Sequence, residues 1–196
     1  MTGIASVPHR APFVPREPML LHDYMEAARA GHDWGRVELE DGYLIPMSTE
    51  YNPHFRTVQQ LQHALDDFFG RDRVFSSGTL GIDDRTGYEP DIWVERSGVA
   101  VDPYHWGWAE APQCALVVEV SVTTERRDRT AKSVRYARAG IPECWIVVPK
   151  KEHDNPPTKL TRLTDPSHDG YRTSIDHELS GLAIGFDATS VLGPRP

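Results

Sequence analysis

The chain has 196 residues, 39% hydrophobic and 26% charged, which is enough to bury a core without disulfide or metal staples. Its net charge of −8 argues against a protein that coats nucleic acid, where a basic balance is expected. No run approaches the roughly 20 apolar residues that a membrane-crossing helix needs, so no membrane partner is expected.

Residues 1–18 carry four prolines and no apolar period and read as an irregular arm. They lack the unbroken apolar run of a signal peptide, which points to a cytoplasmic protein. A single domain is expected over residues 19–196. Met19 to Ala30 has the pattern of a short amphipathic helix closed by Gly31. RVELEDGYLIPMS then reads as a β-hairpin about the turn Asp41-Gly42.

Asn52-Pro53 opens a second helix, with Asn52 as N-cap and an apolar stripe of Val58, Leu61, Leu65, Phe68 and Phe69 running to Gly70. His54 reads as a polar residue of the helix start. Two strands are expected next, VFSSGTLGI and PDIWVE, with the acidic turn Asp83-Asp84 between them. A loop rich in tryptophan and proline follows; its YHWGW segment, residues 104–108, reads either as an interaction surface or as a cover packed over the sheet.

The most apolar strand is CALVVEVSV, followed by a basic helix from about Arg127 to Ala139, a turn at Gly140-Ile141-Pro142 and the strand ECWIVVP. This strand–helix–strand unit predicts a parallel crossover, and with it a mixed sheet flanked by helices. The remainder reads as loops and short antiparallel strands. Cys114 and Cys144 lie inside apolar runs and are expected to be buried free thiols, and no Cys/His cluster has zinc-site spacing.

Two acids break this apolar pattern. Glu119 lies within LVVEVSV, where an unpaired charge costs several kcal/mol; a bound cation, a salt bridge or an edge position would each explain it. Asp91 begins the strand DIWVE and, taken alone, is an ordinary strand-start residue. Carboxylates from neighbouring strands offer the hard oxygen ligands that Mg²⁺ prefers. Residues 126–138 hold six basic side chains and one acid, a local basic face suited to phosphate. Within it Asp128 and Lys132 share a helical face, continued by Arg135 and Tyr136, while Ala131, Val134 and Ala137 form the small apolar face expected to meet the sheet.

Glu89-Pro90-Asp91, then LVVEVS, then RRDRTAKSVRYARAGIPECWIV resembles the Uma-two family of bacterial endonucleases, of the restriction-endonuclease-like PD-(D/E)xK superfamily. The resemblance extends to GRVELEDGYLIPMS and Asn52-Pro53-His54, and so covers roughly residues 19–150. It implies an α/β restriction-endonuclease-like fold: a mixed central sheet flanked by helices, with an N-terminal helix and hairpin. It also implies that Asp91 and Glu119 bind metal, that Lys132 has moved from the usual strand position (here Ser121) to the following helix, and that Glu38 completes the metal shell. The implied activity is Mg²⁺-dependent (or Mn²⁺-dependent) cleavage of DNA, with Arg127, Arg129 or Arg135 on the phosphates, by a chain expected to form homodimers. The alternative is a nuclease-fold binding module for nucleic acid or protein that does not cleave. Where the family has a Ser-Pro-Ser type turn after LVVEVS, this chain reads VTTE. Its strand ECWIVVP ends in Val148-Pro149 where the family often has aspartate and proline, and Cys144 replaces a common aromatic residue.

Overall fold

The structure is a computed structural model that describes residues 17–47, 52–98, 108–122, 124–149, 158–179 and 187–193. All but residues 17 and 18 of the expected N-terminal arm therefore lie outside the described residues, as does most of the tryptophan loop.

Helix α1 spans Leu21–Arg29, and Leu21 and Tyr24 are its buried positions. Strands β1 (Val37–Glu40) and β2 (Tyr43–Pro46) pair antiparallel with Glu40 opposite Tyr43, the predicted hairpin. Its turn places Asp41 at φ 52° and Gly42 at φ 85°, the successive left-handed conformations for which Asp-Gly is suited. Helix α2 runs Asn52–Phe69 and buries His54, Thr57, Leu61, Ala64 and Leu65 along one face, a helical spacing.

The segment VFSSGTLGI does not form one strand. It divides into β3 (Val74–Phe75) and β4 (Leu80–Asp83), separated by Gly78 at φ 102°, and the two halves join different sheets. The acidic turn at Asp83-Asp84 therefore connects β4 to β5 (Thr86–Tyr88), not to β6 (Ile92–Glu95). Short β7 (Ala109–Glu110) precedes the long buried β8 (Cys114–Val120).

The basic helix begins earlier than its pattern suggests. Helix α3 comprises Glu125–Arg127, a π-helical turn at Asp128–Lys132 and a final α-helical stretch, Ser133–Arg138. Strand β9 (Glu143–Val148) then lies parallel to β8, with Glu119 opposite Ile146, as the crossover pattern predicts. The C-terminal part is not made of short strands: β10 (Thr158–Ser167) and β11 (Gly170–Leu179) form one long antiparallel hairpin. A short helix, α4, spans Thr189–Leu192.

Among the described residues the strands form two mixed sheets, where the sequence predicts one. The larger has the order β11-β10-β9-β8-β6-β3 and the smaller β2-β1-β5-β4-β7. Alternation along β8 divides the core. Leu116, Val118 and Val120 face Leu61, Ala64 and Leu65 of α2. Val117 faces the other way, with Tyr136 of α3, Ile141 and Tyr88 of the smaller sheet. Leu21, Tyr24, Val37 and Leu39 close a third cluster beneath α1. Cys114 and Cys144 are free and buried. No helix of the described residues is long and apolar enough to cross a membrane.

Candidate active site

The face of β8 that carries Val117 also carries Glu119, and it is covered by α3. Ile92 of β6 pairs with Val118 of β8, so one further step in the antiparallel register sets Asp91 opposite Glu119. Asp91 Oδ2 accepts the Val120 backbone N–H at 2.6 Å. The two acids picked out in the sequence are thus neighbours at the ends of adjacent strands.

Lys132 reaches the same place from α3. Its Nζ donates to Glu119 Oε1 at 3.1 Å and to Glu38 Oε1, from the hairpin, at 2.7 Å. All three side chains are buried: Glu38 is 1%, Glu119 4% and Lys132 4% exposed. The buried charge of Glu119 is therefore paired, as a charge in such a place must be. Tyr136 donates its hydroxyl to the same Glu119 oxygen at 2.5 Å, and the Lys132 ammonium lies 5.2 Å from the Tyr88 ring centroid, within cation–π range.

The π turn explains how Asp128, Lys132 and Tyr136 all face inward. A π turn holds more residues than an α turn, so positions four apart return closer to the same direction. The buried side chains of α3 are Asp128, Lys132, Ser133, Tyr136 and Ala137; Ala131 and Val134 are only half-buried, contrary to the expected alanine–valine face. Asp128 does not pair with Lys132 as a surface helix pair would. Its Oδ2 accepts hydrogen bonds from Ser121 Oγ at 2.7 Å and Thr124 Oγ1 at 2.5 Å, tying the first turns of α3 to the end of β8.

Burial pushes the Glu119 carboxyl up to about 8, against the pull of the Lys132 ammonium; Asp128, Asp91 and Glu38 add to the rise. Burial alone would lower Lys132, but Glu119 and Glu38 outweigh it and hold the ammonium protonated above its ordinary range. The lysine is thus held as a cation between two buried carboxylates.

Both carboxylate oxygens of Glu38 are engaged by protein groups. Its Oε1 accepts from Lys132 and from the Glu89 backbone N–H at 3.2 Å, and its Oε2 accepts from Arg127 at 2.9 Å. With both oxygens engaged, it acts as the counter-ion of two cations. Among the described residues, by contrast, both hydrogen bonds to Glu119 reach Oε1, and Oε2 receives none.

The arginines expected on phosphates are held by protein groups. Arg127 bridges Glu38 and Glu40 at 2.9 and 2.7 Å. Arg135 pairs with Asp41 at 2.6 Å. Arg129 contacts Glu125 and the Thr161 hydroxyl, each at 2.8 Å. The hairpin acids Glu38, Glu40 and Asp41 thus face Lys132, Arg127 and Arg135 across the junction of the two sheets.

In the sequence His54 reads first as a polar helix-start residue, with a place near the site as the weaker alternative. It is buried, with Nε2 2.9 Å from Asp91 Oδ1. Tyr136 was read as a continuation of the Asp128–Lys132 face, with no role at Glu119. Its spacing of four from Lys132 was the available signal. For His54, nothing in the sequence indicates that α2 packs its first turn against the end of β6.

Divalent ions suit the chemistry of the Asp91 and Glu119 carboxylates, which are hard oxygen donors on adjacent strands, and Glu119 Oε2 fits such a role. In the arrangement described, however, the space between Glu38 and Glu119 holds the Lys132 ammonium. Among the described residues no group of three or more His, Cys, Asp and Glu side chains is gathered to hold an ion.

A mixed sheet between α2 and α3, with two strand-end acids and a helix-borne lysine, defines a nuclease-type α/β fold. A similar fold occurs in the crystal structure of a putative nuclease of DUF820 from Anabaena variabilis ATCC 29413, at 11% identity and a TM-score of 0.59, over 83% of this chain and 86% of that one. Residues 21–155 match the model of the Uma2 family, described as putative restriction endonuclease, and the chain belongs to that family. No curated protein matches it.

Proposed function

We propose that this chain is a divalent-metal-dependent nuclease that hydrolyses phosphodiester bonds in DNA. The observation that carries this reading is the buried contact of Lys132 with Glu119 at 3.1 Å, beside Asp91 on the neighbouring strand. Asp91 and Glu119 Oε2 would hold Mg²⁺ or Mn²⁺. Such an ion supplies charge neutralisation at the phosphoryl group and acidifies water.

The protein's own groups do the rest. His54 and the Val120 N–H fix the Asp91 carboxylate. Glu38 aims Lys132. The ammonium then orients the attacking water or offsets charge that develops on the phosphoryl oxygens. Tyr136 holds Glu119 Oε1 and so sets the direction of its other oxygen. For Arg127, Arg129 or Arg135 to reach a phosphate, each must exchange a carboxylate or hydroxyl partner for it.

That last requirement, with the net charge of −8, favours a second reading: a nuclease fold that binds nucleic acid or protein without cleaving it. Incubation of plasmid and single-stranded DNA with Mg²⁺ or Mn²⁺ separates the two. The nuclease reading expects cleavage by the wild type and none by Asp91→Ala or Lys132→Ala. Binding with no cleavage under either ion supports the binding module instead.

A further inference from the structure

The two edges of the larger sheet are unequal. At one end β3 has two residues, too short to template another strand. At the other, β11 runs for ten residues, Gly170–Leu179, with β10 along its inner side and no described strand along its outer side. Natural edges of this length are commonly blunted by charged side chains, lysine above all, by proline or by a bulge. β11 contains neither proline nor lysine, and its charged residues Arg172, Asp176 and Glu178 are of both signs, so they can pair across a ladder as well as guard one; its register with β10 is unbroken from Thr173 to Leu179. Residues 172–176 are all exposed, including Ile175 at 48%.

The outward row of N–H and C=O groups invites another strand, and the side chains indicate which one. If a second copy of β11 pairs antiparallel about a two-fold axis normal to the sheet, one residue must oppose itself. With Asp176 at the axis, like charges meet. With Thr173 there, Arg172 opposes Ser174 and finds no acid. With Ser174 there, Arg172 opposes Asp176, whose carboxylate already accepts the Thr161 hydroxyl at 2.7 Å.

With Ile175 at the axis, the two exposed isoleucines meet each other. Arg172 then lies opposite Glu178 twice, Thr173 opposite His177, and Ser174 opposite Asp176. Cross-strand pairs of opposite charge and of apolar groups are the ones that stabilise an antiparallel ladder. Arg172 is free to make this exchange, because its contact in the monomer is a 3.5 Å pair with Asp165 between largely exposed groups.

We infer that β11 is a homodimer interface: two copies join their larger sheets edge to edge, antiparallel, with Ile175 on the two-fold axis. Opposed residues of an antiparallel pair have Cα atoms about 4.5–5.5 Å apart, within the span of a disulfide. The two Thr173 positions would be staggered by four residues, about 14 Å apart, beyond that span. Since Cys114 and Cys144 are buried, an introduced surface cysteine reports on this geometry.

The test uses the full chain. Sedimentation velocity should give a species of twice the chain mass. Mild oxidation should link Ile175→Cys into a covalent dimer and leave Thr173→Cys unlinked. Arg172→Glu should weaken the dimer about tenfold, the loss of two pairs worth roughly 0.7 kcal/mol each, and Arg172→Glu with Glu178→Arg should restore it. A monomeric wild type overturns the inference. So does equal linking of both cysteine variants, no linking of Ile175→Cys, or a charge reversal with no effect on a folded dimer, folding being checked by circular dichroism.

Discussion

Glu38 and Lys132 stand ninety-four positions apart in the chain and 2.7 Å apart in space, and their contact joins the smaller sheet to the helix that crosses the larger one. Glu38 also holds Arg127, so its removal takes one buried carboxylate partner from two cations at once, leaving Arg127 with Glu40 and Lys132 with Glu119. Breaking a buried pair by deleting one partner costs several kcal/mol. Glu38→Ala should lower the free energy of unfolding by about 3 kcal/mol, read from urea denaturation.

Lys132→Met should behave differently. Glu38 keeps Arg127 and the Glu89 N–H, and Glu119, already raised to about 8, can take a proton when its cation is gone. The stability loss should be less than half that of Glu38→Ala. Cleavage should fall about 100-fold or more, the loss typical of one preorganised charge-stabilising donor. Equal stability losses in the two variants would contradict this division of labour.

At the other acid the relationship is between His54 and Asp91. A carboxylate held by a buried imidazole and a backbone N–H has one orientation, and loss of such a supporting contact lowers metal affinity or activity by about 10- to 100-fold. His54→Ala should show that loss in Mn²⁺ titration calorimetry, with His54→Gln recovering part of it through the amide. Unchanged ion affinity in a folded His54→Ala would mean that the histidine only fills space.

These two contacts also mark how far the sequence could be read. Glu119 stands out because a charged residue inside an apolar strand needs a partner, whereas Asp91 and Lys132 stand out mainly through the family resemblance and their order along the chain; the structure brings the three together. The inward turn of Asp128, Lys132 and Tyr136 was not legible, since a π turn has no composition of its own. Nor was the division of VFSSGTLGI between two sheets: an apolar run with a glycine in it is equally a continuous strand or two strands and a bend. His54 and the full engagement of Glu38 depend on packing between distant segments, which periodicity does not encode.

The hairpin that carries Glu38 depends on Gly42. Its φ of 85° is open to glycine at little cost, and a Cβ there would lie 2.6 Å from Pro18 Cβ and 2.8–2.9 Å from the Met19 backbone. Backbone strain and overpacking each cost about 1–3 kcal/mol. Gly42→Ala should therefore destabilise the protein by about 3 kcal/mol, whereas at Gly31, also at positive φ but with open space around it, the same change should cost only the strain. Similar melting temperatures for the two variants would count against the crowding at Gly42.

Alkaline stability follows from buried tyrosines, Tyr24, Tyr88 and Tyr171 among them. Burial, with help from Glu89 and Glu38, pushes Tyr24 up to about 12. Burial and Glu40 raise Tyr88 further, and burial with Cys144 does the same for Tyr171. In the unfolded chain these phenols lose their protons near pH 10, while in the native state they keep them, so above that pH the unfolded state binds fewer protons and stability falls as pH rises. Ultraviolet titration of phenolate should thus show a delayed rise that coincides with loss of circular dichroism. Tyr88→Phe and Tyr171→Phe should each shift that unfolding to higher pH. Phenolate that forms fully before the fold is lost would show that these hydroxyls reach water in the native protein.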